Sequence, residues 1–119
     1  MTRSLVLPYP PSVNHYWRHV GGKTLVSREG RRYRDAVRTL LAGTGPLAGR
    51  LAVEVTLFPP DRRRRDVDNA LKAMLDSVGK GGAYLDDSQI DDLRVVRGGV
   101  VEGGSARIEI REIGTDGTP

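Results

Sequence analysis

Apolar and polar residues alternate along several parts of the chain in the pattern of β-strands. Residues 50–58 show the clearest alternation, which predicts a strand that Pro59 and Pro60 bring to an end. Shorter strands are predicted at residues 4–7, 93–96 and 106–110, and a hairpin at residues 19–26 that turns at Gly21 and Gly22. The segments between these strands follow a different period.

Two segments carry apolar residues at the spacing of an α-helix. The first begins after Ser27, a good N-cap residue, and ends near Gly43. Its other face is predicted to carry the charged residues Arg31, Arg34, Asp35 and Arg38. The second is predicted to bury one stripe of side chains, formed by Val67, Ala70, Leu71, Met74, Leu75 and Val78.

The elements follow in the order strand, hairpin, helix, strand, helix, strand, strand. This order predicts an α+β fold, in which two main helices pack on a mixed β-sheet. A chain of 119 residues fits a single domain. We assign that domain to residues 1–113 and expect residues 114–119 to form a frayed tail.

The composition excludes several kinds of chemistry. With 0 cysteines, the chain has no disulfide, no thiolate metal site and no cysteine nucleophile. No apolar run approaches the ~20 residues of a membrane-spanning helix, so we expect a cytoplasmic protein with no membrane partner.

Charge is distributed unevenly along the chain. Residues 1–65 hold 13 Lys and Arg against 4 Asp and Glu, and residues 66–119 hold 6 against 11. The halves carry +9 and −5, which sum to the net +4, and eight of ten aspartates lie between Asp61 and Asp92. A basic surface beside an acidic cluster suits an enzyme that acts on a polyanion. A compositional bias explains the 16 Arg against 3 Lys, but not this clustering.

The most unusual segment joins the 50–58 strand to the second helix. Four arginines, Arg62, Arg63, Arg64 and Arg65, fall where a helix N-terminus also attracts phosphate, although such a run can equally be a solvated surface. Asp66 and Asp68 follow at i and i+2, so both carboxylates face one side if the backbone is extended there. The alternative for Asp66 is a simple N-cap.

Two further acidic patterns surround the second helix. Asp68, Lys72 and Asp76 are spaced by four residues, which fits either an exposed ion-pair ladder or a lysine beside metal-binding carboxylates. Residues 84–92 hold a second acidic group, which is either ordinary turn chemistry or a loop that folds back toward the start of the helix. Aspartate oxygens without Cys or His suit Mg²⁺ or Mn²⁺ rather than zinc. Such ions support phosphodiester hydrolysis.

Residues 8–19 gather three aromatic residues and both histidines. The segment is either a surface that contacts nucleic acid, or a proline-braced loop whose aromatic side chains pack on the sheet. We expect Asn14 and Arg18 to contact DNA, and the polar character of the segment argues against a helix there.

Several of these segments resemble the RusA-type Holliday junction resolvases, which are phage-associated crossover junction endodeoxyribonucleases. The most specific motif is the arginine run followed by Asp-Val-Asp-Asn, with a lysine four residues beyond the second aspartate. Pro10-Pro11-Ser12-Val13-Asn14 and Asp86-Asp87-Ser88-Gln89 add to it. The resemblance implies that Asp66, Asp68 and Asp87 bind the metal and that Lys72 is the essential lysine. It also implies a homodimer that resolves four-way DNA junctions by paired nicks in recombination and repair.

We therefore expect a Mg²⁺-dependent, structure-selective endonuclease that uses no small-molecule cofactor, with Arg62 to Arg65 as DNA contacts. The alternative is a non-catalytic phage protein that binds branched or duplex DNA. The acidic cluster favours the enzyme, because carboxylates repel phosphate unless a metal ion bridges them.

Overall fold

A computed structural model describes residues 2–114, and within them the predicted mixture of strands and helices is confirmed. The main sheet has four strands: β1 (Thr2–Leu7), β4 (Arg50–Phe58), β5 (Ile90–Arg97) and β6 (Ser105–Gly114). Strands β2 (Trp17–Val20) and β3 (Lys23–Val26) form a separate antiparallel hairpin. The helices are α1 (Val13–Tyr16), α2 (Arg28–Leu41) and α3 (Leu71–Lys80). The predicted tail begins at Gly114, the last residue of β6, and its other residues lie outside the described range.

The main sheet is mixed, with the strand order β1-β6-β4-β5. Strand β6 pairs antiparallel with both β1 and β4, whereas β4 and β5 are parallel. Strands β5 and β6 follow each other in sequence but are not neighbours, since β4 lies between them. The parallel pair requires a crossover connection, and α3 supplies it.

The core forms where α2 and α3 pack against the sheet. Val53, Val55 and Leu57 of β4 are buried together with Val37 of α2 and Met74 of α3. Burial alternates from Val53 to Leu57, where Glu54 is exposed between two buried residues, whereas Leu51, Ala52 and Val53 are all buried.

Helix α2 begins as predicted, because the Ser27 hydroxyl accepts a hydrogen bond from the Gly30 N–H at 2.9 Å. Gly30 is also a point of close approach between α2 and α1. A Cβ there would come within 2.6 Å of the Tyr16 carbonyl oxygen, so a larger residue would push the two helices apart. Gly21 and Gly22 have positive φ angles of 56° and 76°, which the tight turn between β2 and β3 requires.

Two local predictions are wrong. Residues 13–16 form a short helix, closed by hydrogen bonds from His15 and Tyr16 N–H to the Ser12 carbonyl, where the polar composition argued against one. The second main helix begins only at Leu71, after a 3₁₀ turn at Val67–Asn69. Val67 is consequently 37% exposed and is not part of the buried stripe.

Candidate active site

The loop between β4 and α3 is organised around one carboxylate. Asp61 accepts hydrogen bonds from the Arg63 backbone N–H at 2.9 Å and from Arg65 Nη1 at 2.7 Å, and the Arg63 guanidinium contacts it as well. Arg65 and Arg63 together lower the pKa of the Asp61 carboxyl below its usual range. The arginine loop, residues 61–65, is therefore an ordered turn rather than a freely solvated run.

A second segment braces the arginine loop from the side. The Arg97 guanidinium, at the end of β5, donates to the Arg65 carbonyl oxygen. A cleft opens between them, and its lining mixes apolar residues with cations: Tyr9, Pro59, Arg62, Arg65, Val67, Arg97 and Val100. Arg62 and Arg64 are exposed, and neither forms an ion pair within residues 2–114.

Asp66 and Asp68 follow the arginine loop, and both are exposed. The backbone is extended at Asp66, with φ −85° and ψ 139°, whereas Asp68 already lies within the 3₁₀ turn. An extended backbone, which would place both carboxylates on one face, is thus present at Asp66 but not at Asp68. Asp66 occupies the N-cap position of the 3₁₀ turn, but its side chain makes no capping hydrogen bond, so capping does not account for this carboxylate.

Lys72 is exposed in the first turn of α3. In the described part of the chain no ion pair joins Lys72 to Asp68 or to Asp76, so the ion-pair ladder is wrong. Asp76 binds elsewhere: Arg34 Nη2 donates to its Oδ2 at 2.6 Å, and Arg34 Nε does so at 3.1 Å. Arg34 had been assigned to a charged face away from the core, but only 22% of its side chain is exposed.

Tyr16 completes this contact between the helices. Its hydroxyl donates to Asp76, accepts from Arg34 Nε at 2.7 Å and lies 3.3 Å from Ser77 Oγ. Burial raises the pKa of Tyr16, and the hydrogen bond to Asp76 raises it further. Tyr16 is fully buried, so it is a packed aromatic residue, but it lies in helix α1 and packs against α2 and α3 rather than in a loop on the sheet.

The second acidic loop is held by its own capping box. The Asp86 carboxylate accepts from the Ser88 N–H at 2.9 Å, while Gln89 Oε1 accepts from the Asp86 N–H at 2.7 Å. Ser88 thereby lowers the pKa of Asp86. The turn interpretation thus accounts for Asp86, and it leaves Asp87 exposed.

Asp87 lies beside the C-terminal half of α3, not near its start. A Cβ built on Gly79 would come 3.4 Å from Asp87 Oδ1, and Asp76, Lys80 and Asp86 line the same depression. Gly79 lies eight residues beyond Leu71, which is about 12 Å along the helix axis. The expectation that this loop folds back toward the start of the helix is therefore wrong.

The structure does not gather the three predicted metal ligands. Among residues 2–114, no three Asp, Glu, His or Cys side chains are grouped closely enough to hold one ion. Asp66 lines a cleft with the arginine loop, whereas Asp87 lies at the other end of α3. The chemistry of the donors nevertheless suits a hard cation, since Mg²⁺ is commonly held by one or two carboxylates together with substrate phosphate.

Residues 8–19 contribute to the same surface. His15 and Ser12 line a depression together with Asp66 and Asn69, and Asn14 and Arg18 are exposed. The DNA contacts assigned to Asn14 and Arg18 stay predictions. Pattern analysis missed Asp61 as the organiser of the arginine loop, although an aspartate after Pro-Pro is a known turn signal. It also missed Arg97, because no local pattern relates residues 32 positions apart.

An α+β domain with arginines and unpaired carboxylates on one surface has the features of an enzyme that acts on a polyanion. A family model described as endodeoxyribonuclease RusA matches residues 8–112, and the chain belongs to this family. It is 42% identical over 118 residues to the crossover junction endodeoxyribonuclease of Enterobacteria phage 82. The aligned residues cover 97% of this chain and 98% of the relative. It is 43% identical over 118 residues to that of Escherichia coli K12, with the same coverage. The enzyme of phage HK97 is 44% identical over 111 residues, 91% of this chain and 92% of the relative.

No helix among the described residues is long and apolar enough to cross a membrane.

Proposed function

We propose that this protein is a crossover junction endodeoxyribonuclease that resolves four-way DNA junctions by metal-dependent hydrolysis of phosphodiester bonds. Membership of the endodeoxyribonuclease family supports the reaction class, and the names of the relatives support the substrate. One structural observation carries the argument furthest. Asp66 lines the same cleft as the arginine loop and Asp68 is exposed two residues later, and such carboxylates weaken phosphate binding unless they serve a cation.

In this proposal Asp66 and Asp68 hold Mg²⁺ or Mn²⁺, and the scissile phosphate supplies further oxygen ligands. The ion, when bound, activates water and stabilises the leaving oxygen. Asp87 is proposed as the third acidic residue on the family resemblance alone, because the described residues place it at the other end of α3.

The cations of the chain orient the DNA and offset its charge. Lys72 projects from the first turn of α3, one turn after Asp68, and its ammonium group is proposed to contact the phosphate that is cut. Arg62 lines the cleft and Arg64 is exposed in the same loop, and both are proposed to bind flanking phosphates. Arg63 and Arg65 belong to the same basic surface, although Asp61 engages both.

We also propose a two-fold homodimer. A four-way junction has approximate two-fold symmetry, and paired nicks on opposed strands need two active sites that face the same DNA. Sedimentation equilibrium at micromolar concentration should give twice the 13.0 kDa chain mass. A monomer that makes uncoupled nicks, first order in chain, would contradict this part of the proposal.

The decisive experiment uses a labelled four-way junction, incubated with the protein in the presence and absence of Mg²⁺. We expect symmetric paired nicks that require the metal, and binding that does not. The alternative function, a non-catalytic protein that binds branched DNA, predicts full binding without cutting in any divalent metal. A linear duplex of the same sequence is the control for structure selectivity.

A further inference from the structure

The hairpin formed by β2 and β3 is set apart from the rest of the fold. Its two strands make a sheet of their own, and outside that pair they pack mainly against the neighbouring helix α1. At the base of the hairpin the Ser27 N–H donates to the Tyr16 carbonyl oxygen at 2.9 Å. Trp17 and Val26 lie opposite each other there and are half-buried, whereas residues 18–25 are all exposed. The hairpin is thus anchored at one end and exposed along the rest of its length.

One face of this hairpin combines two cations with two apolar side chains. The strand register pairs Arg18 with Leu25 and Val20 with Lys23, so these four residues lie on the same side of the hairpin. Val20 is 45% exposed and Leu25 is 48% exposed. Arg18 and Lys23 form no ion pair within residues 2–114. We call this surface of four residues the hairpin face.

The charge around the hairpin face is entirely positive along the chain. No Asp or Glu occurs before Glu29, whereas residues 1–28 hold four Lys and Arg. The hairpin also begins two residues after His15, which lines a depression together with Asp66. A cationic surface that continues from the proposed active site is complementary to the DNA backbone on either side of the cut.

We propose that the hairpin face is a second DNA-binding element, in which Arg18 and Lys23 contact phosphates while Val20 and Leu25 contact bases at the open centre of the four-way junction. This inference rests on the proposed function for its ligand. It adds a physical reason for structure selectivity, because the hairpin favours a junction over linear duplex DNA.

Apolar side chains on a cationic arm suit a site where bases are already unstacked. A protein that inserts apolar side chains into continuous duplex has to separate stacked base pairs, which costs free energy at each step. At the branch point of an open junction this stacking is already interrupted, so Val20 and Leu25 cover base faces there without that cost. A two-stranded ribbon is also narrow enough to approach bases through a groove about 12 Å wide. The apolar pair therefore favours the junction, whereas the two cations favour any DNA.

The first test compares junction and duplex affinity in a metal-free buffer, so that it does not depend on cleavage. The double variant Val20→Thr, Leu25→Thr removes apolar surface and keeps strand-forming residues. Its junction affinity should fall about 10-fold, while its affinity for a duplex of the same sequence should change less than about 2-fold. Leu93→Thr is the matched control, because Leu93 is also a strand leucine and is 43% exposed. It should leave both affinities unchanged.

The second test measures the salt dependence of junction binding. Arg18→Ala and Lys23→Ala should each make the slope of log K against log salt shallower by about 0.9, the value for one phosphate contact. Arg94→Ala is the control, since it also removes one exposed cation from a strand, but Arg94 shares its depression with Asp92 and Glu109. The slope for Arg94→Ala should equal that of the wild type.

Trp17, the one tryptophan of the chain, reports on the base of the hairpin in each variant. Its emission maximum in the DNA-free variants should match that of the wild type, because the side chains that are changed lie beyond the half-buried base. A red-shifted maximum in the double variant would mean that the hairpin has opened. Leu25→Ala alone then takes its place in the affinity comparison.

Three results would overturn the proposal. The first is an unchanged salt slope for both Arg18→Ala and Lys23→Ala, and the second is an unchanged ratio of junction to duplex affinity for the double variant. The third is a double variant that sediments as a monomer where the wild type is a dimer, since the hairpin face would then contact a second copy of the chain. A wild type that binds the junction but never cuts it would instead contradict the proposed function, and the binding tests would still decide the role of the hairpin.

Discussion

The two ends of helix α3 are both acidic, but they use their carboxylates differently. At the N-terminal end, Asp66 and Asp68 are exposed and form no ion pair within residues 2–114. At the C-terminal half, Asp76 is 16% exposed and is held by Arg34 and Tyr16. An aspartate engaged by its own protein stabilises the fold, whereas one left exposed beside arginines is available for a cation and a phosphate. Asp68 and Asp76 have the same spacing from Lys72 in the sequence. They differ in the structure because Arg34 and Tyr16 bind Asp76.

The largest expected effect is the loss of cleavage when an exposed carboxylate is removed. Asp68→Asn or Asp66→Asn should slow junction cleavage about 100-fold or more, because a lost metal ligand removes several kcal/mol of transition-state stabilisation. Binding should stay intact or become tighter, since repulsion toward phosphate is removed. Nicking and gel-shift assays on one preparation measure both quantities, with Asp35→Asn as the control. If Asp68→Asn cleaves the junction at the wild-type rate, Asp68 is not a metal ligand and is only a surface charge.

Asp87→Asn tests whether this third acidic residue takes part in cleavage, as proposed for Asp68, or has no part in it. The family resemblance predicts a loss of cleavage as large as that of Asp68→Asn, although Asp87 lies beside Gly79. The same nicking assay decides this. Cleavage at the wild-type rate would confine the active site to the N-terminal end of α3.

Asp76→Asn should mainly reduce stability. The substitution weakens the contacts with Arg34 and Tyr16, and it should lower the free energy of unfolding by about 1–3 kcal/mol. Urea denaturation measures this change, and Asp35→Asn, whose ion pair is exposed, should change it little. The sequence predicts that cleavage tolerates Asp76→Asn and Asp116→Asn, and Asp116 lies outside the described residues. A urea midpoint equal to that of the wild type would contradict the claim that Asp76 stabilises the fold.

A moderate effect is expected when Arg63 and Arg64 are replaced together by alanine. Binding should weaken, and the salt slope should become shallower by about 0.9 for each phosphate contact that is lost. The control removes Arg31 and Arg32, two exposed arginines of α2, and thus the same total charge. An unchanged slope would mean that the arginine loop faces away from DNA.

The smallest effect concerns pH. Arg50 lowers the pKa of Asp91, and Ser88 lowers that of Asp86, so both carboxyls stay charged in the fold at pH values where the unfolded chain takes up protons. Their stabilisation is complete above the unfolded pKa of about 4 and is lost as the pH falls through the lowered folded values. The urea midpoint should accordingly be lower at pH 3 than at pH 6. Asp91→Asn should narrow the difference between the two midpoints.

Local patterns in the sequence predicted the elements better than their arrangement. The strand at residues 50–58 and the Ser27 cap are confirmed, because alternation and capping are local properties. The start of α3 was placed too early, since Asp66 and Asn69 instead close a 3₁₀ turn through an N–H to carbonyl hydrogen bond. The pairing of β4 with β5 depends on contacts between residues about 40 positions apart, which periodicity does not encode.

In the candidate site, too, local motifs could be predicted from the sequence and long-range contacts could not. The motif identified Asp66, Asp68 and Lys72; all three are exposed, and Asp66 lines a cleft together with the arginines. The Arg34–Asp76 pair spans 42 positions, and the Arg97 brace spans 32, so neither follows from spacing on one helix. The metal roles of Asp66, Asp68 and Asp87 stay predictions.

One ratio tests the central claim most directly: the single-turnover rate of junction cleavage by Asp76→Asn, divided by that of Asp68→Asn, at saturating enzyme in Mg²⁺. Both variants lose one carboxylate from α3 or the turn that precedes it, so the change in net charge is the same. We predict a ratio of about 100 or more, because Asp76 is held by Arg34 and Tyr16 whereas Asp68 is a proposed metal ligand. A ratio near 1, with both variants folded, would contradict this account.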